Sequence, residues 1–217
     1  MPRRNRTDFS PSERRGVYRA IYERRDIRSH FLPEPVPDHV LARLLDAAHH
    51  GPSVGFMQPR DFIVIRDAAM RRAIHASFVE AKARGAAVYQ GERRALYESL
   101  KLAGILEAPV NLCVTCDRGR AKGAGLGRQT DPATDLYSTA CAVQNLWLAA
   151  RAESLGVGWV SILDFDRLRG LNRLLATEVD WIALIGKCDQ RAKWERFAGA
   201  ISGMFGEKHR AAFRAHN

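Results

Sequence analysis

Apolar positions along this chain alternate between two spacings, and the switches outline its elements. Ser10-Pro11-Ser12-Glu13 has the spacing of a capping box with proline at the first helical position. Val17, Ala20, Ile21 and Tyr22 follow at helical intervals, so a first helix is expected to about Arg24. A second helix is expected from Asp38, with Val40, Leu41, Leu44, Leu45 and Ala48 on its apolar side and Gly51-Pro52 stopping it. Asp61-Phe62-Ile63-Val64-Ile65 reads as a short buried strand. Asp67 can cap a third helix carrying Met70, Ile74 and Phe78. Gly85 and Gly91 interrupt that pattern, which resumes from Glu92 to about Leu106. Residues 110–116 read as a strand, and 117–132 as a mobile surface loop rich in glycine and basic residues. The stretch 134–152 is apolar or small nearly all round, including Leu136, Ala140, Cys141, Val143, Leu146 and Trp147. Such a helix must be buried on most sides, which suggests a long central helix shared with a second copy. Residues 155–162 and 179–185 predict two more strands, with a short helix around 166–174 between them. Few strands, many helices and no βαβ alternation indicate an α+β fold. Without repeats or a linker, residues 1–217 are expected to form one domain with a flexible N-terminus over 1–10.

Composition narrows the class. Apolar residues make up 46% and charged residues 27% of the 217, ordinary for a globular protein that needs no disulfide or metal to hold its core. No apolar stretch approaches the ~18 residues of a membrane span, and the basic N-terminus lacks a signal peptide's apolar run. A cytoplasmic location is expected. The net charge is +10, and its placement matters more than its size. Residues 1–28 hold nine arginines against four acids, and 187–217 hold seven basic residues against three acids. Two basic ends suit either nucleic acid or a single anionic ligand gripped between them. No helix-turn-helix or aromatic RNA platform supports the first option, so no nucleic-acid partner is expected.

Two motifs fail on context. Cys113-Val-Thr-Cys116 has redox or zinc spacing but lies within a strand, where positions three apart face opposite ways. Small buried residues are the expectation, and no metal site is predicted. Gly123-Ala-Gly125-Leu-Gly127 does not turn a strand directly into a helix, as a dinucleotide loop would.

Three segments hold residues suited to chemistry. In Arg24-Arg25-Asp26-Ile27-Arg28, an extended backbone puts Arg24, Asp26 and Arg28 on one face. Two guanidiniums can hold a phosphate, although a carboxylate between them is unusual for a phosphate clamp. Gly51-Pro52-Ser53-Val54-Gly55-Phe56-Met57-Gln58-Pro59 sets apolar residues in a loop, and Gly55 would let a flat ring approach the backbone. In Gly156-Val157-Gly158-Trp159-Val160-Ser161-Ile162, glycines allow close approach to a strand that ends in a hydroxyl.

In this order these segments resemble the FMN-dependent nitroreductase superfamily. With Ser99-Leu100-Lys101-Leu102, Asp135-Leu136-Tyr137-Ser138-Thr139 and the run from Val143 to Glu153, they resemble more narrowly its 5,6-dimethylbenzimidazole synthase branch. The likeness runs from about Ser12 to Ile162, and Asp26 stands where ordinary nitroreductases usually carry serine. It implies a nitroreductase-like fold: a central, mostly antiparallel sheet flanked by helices, in an intertwined homodimer with FMN at the interface. It implies that reduced FMN, supplied by a separate flavin reductase, is consumed as a substrate. With dioxygen it is fragmented to 5,6-dimethylbenzimidazole, the lower ligand of cobalamin, and erythrose 4-phosphate. Arg24, Arg25 and Arg28, with Ile27 between them, would hold the phosphate and ribityl chain. Ser53 and Gly55 would line the flavin, and Leu102 falls in the family's lid. Asp26 as acid and base, and Ser161 assisting, would match the residues that fragmentation needs. The alternative on the same fold is an NAD(P)H-dependent nitroreductase or flavin reductase. Arg60 stands where a Trp is usual, altering the packing expected near the flavin. The likeness fails after Ile185, leaving 187–217 as a divergent C-terminal arm in which Lys193 or Arg196 would have to supply a basic residue to the phosphate.

Overall fold

A computed structural model describes residues 8–99, 104–164 and 178–188. Leu102, the expected helix around 166–174 and the arm beyond residue 188 therefore lie outside the described residues. Helix α1, Pro11–Glu23, begins at a full capping box: the Glu13 amide donates to Ser10 Oγ, and the Ser10 amide to the Glu13 carboxylate. Helix α2 is Asp38–His49 and strand β1 is Arg60–Ile65. Helix α3, Ala68–Ala86, starts at Asp67, whose side chain accepts from the Met70 amide. Helix α4 is Gly91–Ser99, strand β2 is Val110–Cys116 and helix α5 is Thr134–Ala152. Strands β3, Gly156–Val160, and β4, Glu178–Gly186, complete the set.

The four strands form one antiparallel sheet in the order β1-β2-β4-β3. The period-two alternation of β2 feeds two cores. Val110, Leu112 and Val114 face α2 and α5, with Leu44, Leu146 and Trp147. Cys113 faces the opposite layer, with Ile27, Phe31, Ile74 and Phe78. The sheet is thus sandwiched between helices, an α+β arrangement.

Two expectations need correction, and one helix face is notable. Helix α3 runs through Gly85 to Ala86: one glycine costs a helix only about 1 kcal/mol, and buried Ala86 holds the last turn down. The expected helical stretch does not reach Leu106, since residues 105–107 lie in a turn whose Ala108 amide donates to the Gly104 carbonyl at 2.8 Å. The apolar face of α1 is left largely uncovered by the described residues: Val17, Tyr18, Ile21 and Tyr22 are exposed, and no α1 residue is buried. No described helix is long and apolar enough to cross a membrane.

Candidate functional site

Strand β3 is an edge of the sheet, and the chain leaving α1 lies along it. The Ile27 amide donates to the Val157 carbonyl at 2.9 Å, and Asp26 pairs with Val157 in a parallel bridge. A side chain at position 158 would collide with the Ile27 carbonyl, so Gly158 is what permits this contact. Helix α5 fixes the segment from the other side. Trp147 Nε1 donates to the Arg25 carbonyl at 3.1 Å, Arg151 donates to the Glu23 carboxylate at 2.5 Å, and the Arg24 guanidinium lies 5.0 Å from the Trp147 ring centroid. The hydrogen bond from Arg19 holds the Glu23 carboxyl below its ordinary value of 4.5; burial opposes it, and Arg151 adds a smaller lowering.

Asp26, Arg28, Phe78, Trp147, Trp159, Val160, Ser161 and Ile162 line a half-open pocket of about 300 Å³, at the small end for ligand sites. It forms where the layers on both faces of the sheet meet at the β3 edge, because Trp147 comes from α5 and Phe78 from α3. The Asp26 carboxylate is fixed at both oxygens. Oδ1 accepts the Trp159 amide at 3.0 Å, and Oδ2 pairs with Arg28. Arg28 Nε is buried and has no hydrogen-bond partner among the described residues. The two indoles are 6.3 Å apart with planes tilted by 35°. An anionic, flat, aromatic ligand suits such a pocket: the Arg28 guanidinium at its wall carries positive charge and the rings offer a π-face.

Arginine 25 is arranged differently from Arg24 and Arg28. Its guanidinium donates to the Tyr22 and Arg24 carbonyls at 2.6 and 2.8 Å, stabilising the C-terminal end of α1. Burial first, then the like charge of Arg24, lower its pKa from the usual guanidinium value.

Ser53 and Gly55 lie elsewhere. Their turn leads into β1, the opposite edge of the four-stranded sheet, roughly 14 Å from β3 at the usual strand spacing. It touches α5 at Ser138, whose Oγ accepts the Val54 amide, nine residues or about 14 Å of helix before Trp147. Within the turn, Ser53 Oγ accepts the Gln58 amide at 2.8 Å, and Gly55 has φ +56°. Arg60 does not simply refill a tryptophan's space. It is 5% exposed, and its Nη2 reaches the carbonyls of His49 and Gly51, a positive group at the C-terminal end of α2. Burial first, then nearby Arg120, depress its pKa.

Sequence reasoning missed Phe78, Trp147 and Trp159 as pocket walls and Arg120 as a strut. Phe78 and Trp147 sit at ordinary core positions of their helices, so only the tertiary packing reveals that their rings meet at a sheet edge.

The chain belongs to the nitroreductase family, whose family model, described as Nitroreductase family, matches residues 21–186. A relative in Rhodospirillum rubrum named 5,6-dimethylbenzimidazole synthase is 46% identical over 156 residues, 72% of this chain and 74% of that protein. Among solved structures, iodotyrosine deiodinase bound to FMN and 3-iodo-L-tyrosine superposes with a TM-score of 0.65 at 20% identity, over 80% of this chain and 90% of that one. A BluB-like flavoprotein from Clostridium difficile 630 superposes with a TM-score of 0.63 at 16% identity, over 81% and 91%. The structural likenesses bear on the fold. The family and the named relative make the chain an enzyme of the oxidoreductase kind.

Proposed function

We propose that this chain fragments reduced FMN in an oxygen-dependent reaction that yields 5,6-dimethylbenzimidazole and erythrose 4-phosphate. The observation that carries the reading is the Asp26 carboxylate, held by the Trp159 amide and Arg28 in a pocket that Ser161 shares. The relative's name and the FMN in the deiodinase structure support it. Reduced FMN supplies both the electrons and the ring that is broken. The positive charges of Arg28 and Arg24 attract the anionic ligand, while Arg25 holds the turn that carries them. Ile27 anchors the segment in the core at 2% exposure. Asp26 takes up and returns a proton in a position its two hydrogen bonds fix. The Ser161 hydroxyl donates a hydrogen bond at the pocket wall, and Phe78, Trp147 and Trp159 keep water out.

In this reading Ser53 and Gly55 meet the flavin from a second copy, and Leu102 belongs to the lid. Two observations support the homodimer: the distance between the two clusters in one chain, and the open apolar face of α1. The whole chain acts as one domain in the cytoplasm, with reduced FMN delivered by a separate flavin reductase. The test is mass spectrometry of products from reduced FMN and air. Dimethylbenzimidazole in the products supports the proposal. Rapid anaerobic bleaching of a retained, recycled FMN by NADPH, without that product, replaces it with a nitroreductase or flavin reductase.

A further inference from the structure

The turn before β1 contains an unusual concentration of left-handed backbone. Gly55, Phe56 and Gln58 have φ of +56°, +57° and +47°. Side chains disfavour that region, so two non-glycine residues within three positions persist only where the surroundings over-determine them. Inside the turn there is little to do so beyond Ser53 Oγ and the bonds from the Phe56 and Met57 amides to the Ser53 and Val54 carbonyls, at 3.1 and 3.2 Å.

Helices α5 and α2 contribute through Ser138, which accepts the Val54 amide, and His49, which meets the Gln58 side chain at 3.3 Å; a further restraint comes from residues 117–128, within the 117–132 stretch expected to be a mobile loop. Arg120 Nη1 donates to the Gln58 carbonyl at 2.6 Å and to the Arg60 carbonyl at 3.3 Å. Its Nη2 pairs with Asp61, and its Nε with Asp117 at 3.4 Å. One guanidinium thus ties the turn to the first two residues of β1 and to the residue following β2. Its pKa is raised: burial would lower it, but the hydrogen bonds and charges of Asp61 and Asp117 outweigh burial. The Arg120 carbonyl in turn accepts from Arg128 Nη1 at 3.1 Å, and Arg128 pairs through two nitrogens with Asp135, which is 1% exposed at the start of α5. Lys122 reaches the Gln58 amide oxygen and lies 4.4 Å from the Phe56 ring centroid. Gly123 fits so closely on Gly55 that a side chain there would collide with the Gly55 carbonyl.

We propose that Arg120 is a positioning residue that pins the Gly55–Gln58 turn in its left-handed form, and so presents the Gly55 backbone to the flavin. The second half rests on the reading above that Gly55 lines the flavin. Lysine cannot replace the arginine, because a single ammonium lacks the fork that spans Gln58, Asp61 and Asp117 together.

The test is amide hydrogen exchange of the full ligand-free chain, with FMN affinity measured separately by flavin fluorescence. In Arg120→Ala and Arg120→Lys, the Phe56, Met57 and Gln58 amides should exchange at least about tenfold faster, with Leu112 and Val114 in β2 unchanged, and the FMN Kd should rise about tenfold. Arg66→Ala, which breaks an exposed ion pair with Asp38, should change none of these. Should Arg120→Ala fail to fold, Asp61→Asn removes one partner and should speed the same amides about threefold. Unchanged turn amides in these variants overturn the pinning. Faster turn amides with unaltered FMN affinity overturn the presentation of Gly55. If the wild-type chain binds no FMN, the functional reading fails, and exchange alone still decides the pinning.

Discussion

The two edges of the sheet are built for site work in different ways. At the β3 edge the pocket's charged residues come from a segment docked by backbone pairing, a permitted close approach at Gly158 and hydrogen bonds from α5. The pocket there is already walled within one chain. At the β1 edge a left-handed turn is clamped by long-range ion pairs, while Val54 and Phe56 remain exposed. The first edge has what acid-base chemistry needs, a carboxylate in a fixed position. The second offers backbone amides and an apolar surface, suited to lying against a ring that chemistry elsewhere attacks. In the proposed reading, one chain therefore carries both halves of a site without joining them.

The sharpest way to break this comparison is Gly158→Ala. The added methyl displaces Ile27, so a loss of more than about 3 kcal/mol in urea unfolding is expected, together with loss of flavin binding. Retained binding would mean the β3 edge is not the ligand's anchor. Asp26→Asn should keep FMN affinity but cut dimethylbenzimidazole yield at least about a hundredfold, measured by mass spectrometry. Comparable yield would remove Asp26 from the chemistry. Arg28→Ala should weaken FMN binding about 10- to 100-fold in a fluorescence titration, as loss of a charge-assisted contact would. Ser161→Ala should lower product yield about fivefold, the scale of one neutral hydrogen bond. The smallest effect concerns the support of the β3 edge. Because the Glu23 carboxyl is depressed below 4.5, its contribution is present above that pH and fades as pH falls through the lower folded value. Glu23→Gln should therefore destabilise at pH 7 by under about 1 kcal/mol, less in high salt, with the difference from wild type shrinking in acid.

Much of the scaffold is written locally and could be read that way. The Ser10–Glu13 box, the Asp67 cap and the period-two alternation of β2 each act over a few residues, and each is where the pattern predicts. The glycines of β3 also announced a close approach, although not that its partner would be Ile27. What escaped depends on distant partners. The 117–132 loop reads as mobile because its glycines and charges look solvated, yet Arg120 finds Asp61 and Gln58 some sixty positions away. Arg60 reads in the sequence only as altered packing near the flavin, and its partners, carbonyls at the end of α2, emerge from the fold. The apolar positions of α1 mark a helix, but they do not say what, if anything, covers that face.

The residues around Asp26 also shield the outer margin of β3, whose unpaired peptide groups would otherwise be free to recruit a strand from a neighbouring molecule. Substitutions that dislodge this segment should thus cause precipitation as well as inactivity. A survey of crude extracts would score such variants as poorly expressed, hiding damage to the part proposed to meet the substrate.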